Sequence, residues 1–299
     1  MSSSLIVVLG FALGVVSAIF FALYMVPQRV VKLDTLTYLW TIAIGVLLTA
    51  LVPYLLAGCP QHSSWTERGE ALICGVVWAL GTMAFSAGIT RIGLALATPI
   101  KNTTGVLGTL VGLIFFQEWR IVNPLLTLLG SILIVLSAIV IGQTGRDDVS
   151  RRSTLVGIFC ALMAALCYAS YLYPMKLVLA SVDFREFTPW MGLGILLTAT
   201  LAVILRPDRL SVLRRYPLSS FAWSLLGGVA WTLALYAMIG SLHMVGLSIS
   251  WSLAQLNTIP AVFLGIMVFH EVRWSDQWRK VLLGLLFATL GTVALALAK

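Results

Sequence analysis

Long apolar stretches separated by short polar links run along the whole of this 299-residue chain. Each stretch is close to the roughly 20 residues that an α-helix needs to cross a bilayer core. They predict ten transmembrane helices, at residues 5–26, 36–57, 71–90, 94–116, 122–142, 154–175, 187–205, 219–240, 246–269 and 278–298. Almost no chain is left over for a soluble domain, so we expect an all-α membrane protein.

The second half of the chain repeats the first. Gly10 to Val31 aligns without a gap on Gly157 to Val178, and Gly75 to Arg120 aligns on Gly228 to Arg273. Five helices per repeat is an odd number, so the second copy must enter the membrane in the opposite direction. We therefore predict two inverted five-helix repeats, 1–145 and 154–299, joined by a linker at 146–153. This architecture is typical of secondary transporters, in which two halves move around a central site.

Composition and charge indicate what surrounds the chain and how it is oriented in the membrane. Hydrophobic residues make up 60% of the chain, charged residues only 10%, and the mean hydropathy is +1.01. The net charge of +8 lies mostly in the links, which indicates orientation in a lipid bilayer and not nucleic-acid binding. Thirteen basic residues fall in links on one face and five on the other. The positive-inside rule makes the first face cytoplasmic and leaves both termini outside.

The start of the chain predicts a retained helix, and its cysteines predict neither a metal site nor a disulfide. No basic segment precedes the first apolar stretch and no small-residue cleavage pattern follows it, so we expect a retained helix in a bacterial-type inner or plasma membrane. The four cysteines have no CxxC spacing and are interpreted as packing residues. Neither a metal nor a cofactor is predicted, and no motif of a known catalytic site is present.

Lys101 is the residue that most favours a binding site. It lies in the apolar stretch 94–116, where a central lysine costs roughly 2.5–3.5 kcal/mol and is expected to face a polar cavity or a partner. It could bind a substrate carboxylate or phosphate, donate to sugar hydroxyls, or carry a proton in a coupled mechanism. The alternative is a long side chain that reaches the membrane interface near Arg91. Its counterpart in the second repeat is Ala254, so the charge breaks the symmetry of the halves.

Polar and aromatic residues near this position, and at related positions of the second half, complete the predicted substrate site. The polar candidates could instead join helices by hydrogen bonds, and the aromatic ones could anchor the interface or fill space. Pro99 and Pro260 are expected to interrupt helices four and nine and to permit gating. The candidates beside Lys101 are Asn102, Thr98, Thr104, Gln255, Asn257, Ser250, Ser252, Trp78, Trp231, Tyr24 and Tyr171.

Two motifs resemble a known superfamily. Helices four and nine are rich in glycine and end in Phe116-Gln-Glu118-Trp-Arg120 and Phe269-His-Glu271-Val-Arg273. This pattern is similar to that of the drug/metabolite transporter superfamily (EamA-like), and stretches 17–27, 75–81 and 246–255 resemble its glucose/ribose porter and L-rhamnose-proton symporter branch. The resemblance implies alternating-access transport of a sugar or sugar-like metabolite. The chain departs from this branch at Lys101, where the relatives tend to have a neutral amide or hydroxyl.

Other interpretations stay open from the sequence. An exporter of amino acids or small organic acids would also use a buried lysine. A receptor or assembly protein with a transporter-like fold would need no solute path. Glu118 and Glu271, each two residues before an arginine, are interpreted as helix-end anchors or ion-pair partners, with a role in proton coupling as the alternative.

Overall fold

The fold is a bundle of helices, seen in a computed structural model that describes residues 3–24, 26–31, 33–142, 151–206, 217–267 and 274–299. These residues contain no strand. The first half holds α1 (Ser3–Leu23), α2 (Val26–Val31), α3 (Thr35–Leu56), α4 (Trp65–Lys101), α5 (Thr104–Phe115) and α6 (Pro124–Gly142). The second holds α7 (Arg151–Ser170), α8 (Leu172–Val178), α9 (Phe184–Ile204), α10 (Leu218–Val245), α11 (Leu247–Ala254), α12 (Thr258–Met267) and α13 (Trp274–Ala298).

The helices are apolar enough for a bilayer. Within the described residues, seven of them are long and apolar enough to cross a membrane, and two shorter apolar helices span Thr104–Phe115 and Pro124–Val140. Large hydrophobic side chains such as Leu56 and Leu297 are exposed on the outside of the bundle, as expected of a surface that faces lipid. The chain is therefore an integral membrane protein.

The structure corrects the predicted boundary between helices three and four. The predicted link after residue 90 is helical, because it contains only one charge and one glycine within an apolar run. Helix α4 instead continues to Lys101 and breaks at Asn102 and Thr103. Lys101 is thus the last residue of a helix, and not a residue one-third of the way along one.

The predicted prolines stand beside helix breaks and not at them. Helix α4 ends two residues after Pro99. Predicted helix nine divides into α11, a 3-10 turn at Gln255–Asn257 and α12, and Pro260 lies in the first turn of α12. Proline is tolerated there because the first-turn N–H groups have no helical partner.

Three further boundaries differ from the prediction. The predicted helices 5–26 and 154–175 each divide, at Tyr24 and at Tyr171. Of the predicted linker 146–153, the last three residues belong to α7, and 146–150 lie outside the described residues. The motif at 269–273, with Glu271, also lies outside them.

The two halves pack against each other in a reciprocal way. Helix α1 packs on α10, and the corresponding helix of the second half, α7, packs on α4. Helix α3 packs on its counterpart α9 and α6 on its counterpart α13, while the contact of α4 with α9 is matched by that of α3 with α10. The most extensive contacts between halves are therefore either matched by a mirror contact or made between equivalent helices.

Glycines permit the closest of these contacts. A Cβ placed on Gly75 or Gly194 would lie well inside 3.0 Å of a backbone oxygen of the facing helix, Met191 in α9 or Leu72 in α4. Gly45 and Gly228 make the equivalent close approach between α3 and α10. Because Gly45 aligns with Gly194 and Gly75 with Gly228, the two crossings use repeat-related residues.

Candidate functional site

A small polar and aromatic cavity lies where the interrupted helices meet. Its volume is about 30 Å³, which is room for about two water molecules. A sugar could enter only if the surrounding side chains moved apart. The lining residues are Phe21, Tyr24, Trp78, Lys101, Thr104, Tyr168, Tyr171, Trp231, Trp251, Gln255 and Asn257.

Most of the lining comes in repeat-related pairs. In the gap-free alignments of the two halves, Tyr24 matches Tyr171 and Trp78 matches Trp231. The same alignments match Phe21 with Tyr168 and Thr104 with Asn257. Matched sequence positions of both halves therefore line the cavity. The three lining residues without such a counterpart in the lining are Lys101, Trp251 and Gln255.

Aromatic rings in contact with one another form much of the cavity wall. The centroids of Trp78 and Trp231 lie 4.5 Å apart, and Trp78 lies 6.4 Å from Tyr168. Tyr171 meets Trp251 edge to face at 6.1 Å. The two paired tryptophans are 3% and 1% exposed, so neither is an anchor at the membrane interface. Faces and edges of this kind pack against the C–H groups of an apolar or sugar ring.

Lys101 projects from the end of α4 into the same cavity and is only 8% exposed. Its ammonium nitrogen lies 5.6 Å from the ring centre of Phe85 and 5.9 Å from that of Tyr168. Among the described residues it forms neither a salt bridge nor a hydrogen bond to a side chain. The buried position differs from that of a side chain reaching the interface.

Two further lining atoms lack a hydrogen-bond partner within the described part of the chain, the hydroxyl of Thr104 and Oε1 of Gln255. Gln255 Nε2 donates to the Trp251 carbonyl at 3.0 Å, which holds the amide in place with its oxygen free. Trp251 Nε1 donates to the Thr104 carbonyl at 3.0 Å. Buried polar atoms are normally paired, so these atoms are available to a solute.

The other predicted polar residues lie outside the lining, and two of them, Asn102 and Ser252, join helices. Asn102 Nδ2 donates to the Gln255 carbonyl at 3.2 Å, to Asn257 Oδ1 at 3.1 Å and to the Thr258 hydroxyl. The Ser252 hydroxyl hydrogen-bonds to those of Thr109 and Ser131, which connects α11 to α5 and α6. Thr98 and Ser250 are buried away from the cavity as well.

Sequence reasoning missed three lining residues, Phe21, Tyr168 and Trp251. The first two form a repeat-related pair one helical turn before Tyr24 and Tyr171, so the spacing i, i+3 along matched helices was the signal that could have found them. Trp251 aligns with Thr98, and its position in the lining follows from the break after α11. The alignment of the halves gives no signal for it.

At one end of the bundle, two buried carboxylates connect the two halves by hydrogen bonds. Glu118, 3% exposed, accepts hydrogen bonds from Lys176, from the Leu247 and Ser248 amides at 2.7 and 2.8 Å, and from the Ser248 hydroxyl. It thereby caps α11. Burial acts to raise the pKa of Glu118, but the bonds from Lys176 and Ser248 outweigh it and hold that pKa below its usual value.

Glu186 forms the second connection between the halves at the same end of the bundle. It accepts from the His62 and Ser63 amides at 3.0 and 3.1 Å and from the Ser63 hydroxyl, and it lies 3.6 Å from Arg68. Glu118 belongs to the first half and bonds to the second, whereas Glu186 belongs to the second and bonds to the first. The two contacts close this end of the bundle reciprocally. The end of α13 lies here too, since the Asn123 amide donates to the Ala298 carbonyl at 2.8 Å.

A polytopic bundle with a small cavity lined by buried polar and aromatic residues is the form of a membrane transporter for a small solute. Residues 54–298 match the model of a family described as "Sugar transport protein", and the chain belongs to this family. It is a transporter for sugars.

Relatives of known description agree. The chain is 29% identical over 259 residues to a "Putative sugar uptake protein" of Lactiplantibacillus plantarum, which covers 85% of this chain and 87% of the relative. It is 24% identical over 233 residues to a protein of the same description in Listeria innocua, covering 77% and 79%. A solved crystal structure with 14% identity superposes with a TM-score of 0.72 over 98% of each chain, which supports the fold alone.

Proposed function

We propose that the chain imports a small sugar or sugar-like solute by alternating access of two inverted five-helix halves, 1–145 and 154–299. The observation that carries this is the cavity, which lies at the helix breaks and is lined by buried, repeat-related aromatic pairs. Interrupted helices around a central site are the usual construction of secondary transporters. We place the family within the drug/metabolite superfamily, near the glucose/ribose porter and L-rhamnose-proton symporter branch.

The reciprocal packing supports the inverted arrangement. Matched contacts between α1 and α10 and between α7 and α4 are those expected of two halves related by a twofold axis. The paired glycine crossings, Gly75 with Gly194 and Gly45 with Gly228, are related in the same way. Two equivalent crossings let one half rock on the other while the close backbone contacts are kept.

The contacts of Glu118 and Glu186 with the opposite half support a bundle that is closed at its outer end. The links at this end carry few basic residues, so the positive-inside rule assigns them to the outside together with both termini. Solute would then leave the cavity toward the cytoplasm, and outward opening would require both carboxylates to release the opposite half. The helix breaks beside Pro99 and Pro260 are the proposed hinges. Lys101 is the described lining residue that could carry a proton in a coupled mechanism.

The aromatic wall provides the test. Purified protein in proteoliposomes is offered a panel of labelled monosaccharides and sugar acids, and Trp231→Ala is compared with Trp223→Ala, a half-exposed tryptophan on the same helix. We expect at least a tenfold loss of uptake for Trp231→Ala and none for Trp223→Ala, because only Trp231 faces the cavity. Trp231→Phe, which keeps an aromatic ring, should retain part of the uptake.

Two results would contradict the proposal. Uptake that does not depend on Trp231 in a folded variant would mean that the solute takes another path. No uptake of any solute of the panel by the wild type would favour a receptor or assembly protein. Size-exclusion profiles and melting temperatures of each variant separate loss of folding from loss of transport.

A further inference from the structure

We propose that the solute of this cavity is an acidic monosaccharide, a sugar that carries one carboxylate, and that the carboxylate binds Lys101. This inference rests on the proposed function and specifies its substrate class. The structure supports it through three features of the lining: one charge without a partner, acceptor and hydroxyl groups without partners, and an aromatic wall.

The first feature is the isolated charge. Lys101 is the one charged residue among the described residues that line the cavity. The two buried carboxylates among the described residues are engaged elsewhere, Glu118 by Lys176 and the start of α11, and Glu186 by Ser63 and Arg68. A buried ammonium group needs an anion or several hydrogen-bond acceptors. A carboxylate on the solute would supply the anion when the solute enters.

The number of charges favours a carboxylate over a phosphate. A phosphate monoester carries about 1.5 to 2 negative charges near neutral pH, whereas a carboxylate carries one. The lining offers one cation to balance them. A sugar phosphate would therefore bring a second, uncompensated charge into an apolar surrounding of tryptophan and tyrosine rings, at a large desolvation cost.

The remaining polar atoms suit the rest of a sugar. Gln255 Oε1 is an acceptor without a partner among the described residues, and its amide is fixed by the bond to the Trp251 carbonyl. The Thr104 hydroxyl, also without a partner, can donate or accept. Sugar hydroxyls are donors and acceptors and can satisfy both groups, while Trp78, Trp231 and Trp251 contact the ring faces. A simple organic acid without hydroxyl or amino groups would satisfy Lys101 but leave these groups unpaired.

The asymmetry of the cavity lining favours one orientation of the bound solute. Lys101 has Ala254 as its repeat counterpart, and Gln255 has Asn102, whose Oδ1 also lacks a partner among the described residues but which lies outside the lining. Within the lining, the charge of Lys101 and the free acceptor of Gln255 therefore lack the counterparts that the aromatic pairs have. A solute with a carboxylate at one end and hydroxyls along its ring matches this difference, whereas a uniformly hydroxylated sugar does not.

The test compares three sugars with one ring and three groups at C6: D-glucuronate, D-glucose and D-glucose 6-phosphate. Each is measured by its shift of the melting temperature of the purified protein and by competition for uptake in proteoliposomes. We expect D-glucuronate to bind at least tenfold more tightly than D-glucose or D-glucose 6-phosphate. In Lys101→Gln the ratio of the affinities for D-glucuronate and D-glucose should fall at least tenfold, and Lys101→Arg should keep part of that ratio.

The other possible results distinguish failure of the acidic-sugar assignment from failure of the proposed transport function. If D-glucose binds as well as D-glucuronate, or if Lys101→Gln leaves their ratio unchanged, the acidic-sugar assignment is wrong while sugar transport stands. Tighter binding of D-glucose 6-phosphate would replace the carboxylate by a phosphate. If none of the three sugars binds and no solute of the broader panel is transported, both the acidic-sugar assignment and the proposed function are wrong. Lys101→Met serves as a second neutral variant should Lys101→Gln not fold.

Discussion

The variant Gly75→Ala should abolish folding, although it adds only one methyl group. The added carbon would overlap the Met191 carbonyl oxygen of α9, and a backbone atom cannot turn away as a flexible side chain can. Overpacking of a well-packed core costs about 1–3 kcal/mol or more, and here two transmembrane helices would have to separate. We expect loss of the monodisperse peak in detergent and strongly reduced abundance in the membrane, both measured by size-exclusion chromatography of a fluorescent fusion.

Gly69→Ala is the matched control for this prediction. Gly69 lies on the same helix, and a Cβ there would meet nothing within 4 Å. Alanine favours helix over glycine by about 1 kcal/mol, so Gly69→Ala should be neutral or stabilising. Equal stability of the two variants would contradict the crossing of α4 and α9 at backbone distance. Gly228→Ala, at the repeat-related crossing, should behave as Gly75→Ala does.

Glu118→Gln should lower the melting temperature by about 5–10 °C. The carboxylate accepts from Lys176, Leu247 and Ser248, and an amide at this position would offer one acceptor atom and turn an NH₂ group toward the remaining donors. Removal of one partner from a buried ion pair costs about 3–5 kcal/mol. The change is measured by thermal unfolding in detergent, with Glu70→Gln, a half-buried carboxylate on α4, as control.

The pH dependence follows from the direction of the pKa shift. Because the pKa of Glu118 is lowered in the folded protein, its contribution to stability is present above the ordinary glutamate pKa and is lost as the pH falls through the folded value. The difference between wild type and Glu118→Gln should therefore be constant through the neutral range and shrink only in acid. A difference that vanished already near neutral pH would show that Glu118 is not held in its charged form by these contacts.

The sequence alone predicted the membrane class and much of the cavity lining. A bilayer requires each membrane-spanning helix to be apolar and about 20 residues long, so hydropathy and length are enough to identify the spans. The alignment of the two halves indicated Tyr24, Tyr171, Trp78 and Trp231, all of which line the cavity. Family membership agrees with the predicted transport of sugars. These features depend on local composition or on comparison of the halves, which a sequence contains.

The positions of the helix breaks could not be predicted in this way. Helix α4 runs through Gly93 and ends at Lys101, and the Asn102 side chain next to the break bonds to α12 and the 3-10 turn before it. These partners lie about 150 residues away in sequence, so no local pattern reports them. For the same reason the hydrogen bonds that connect Ser252 to α5 and α6 could not be distinguished from contacts with a solute.

In the proposed mechanism the transported solute passes through the cavity beside Thr104. Thr104→Cys, in a chain whose four native cysteines are replaced, is labelled with a membrane-impermeant maleimide on both sides of proteoliposomes, with and without the transported sugar. We predict that the sugar slows the labelling of Thr104→Cys and leaves unchanged that of Thr66→Cys, an exposed position near the start of α4. A sugar that is carried while the labelling rate of Thr104→Cys stays the same would contradict a path through this cavity.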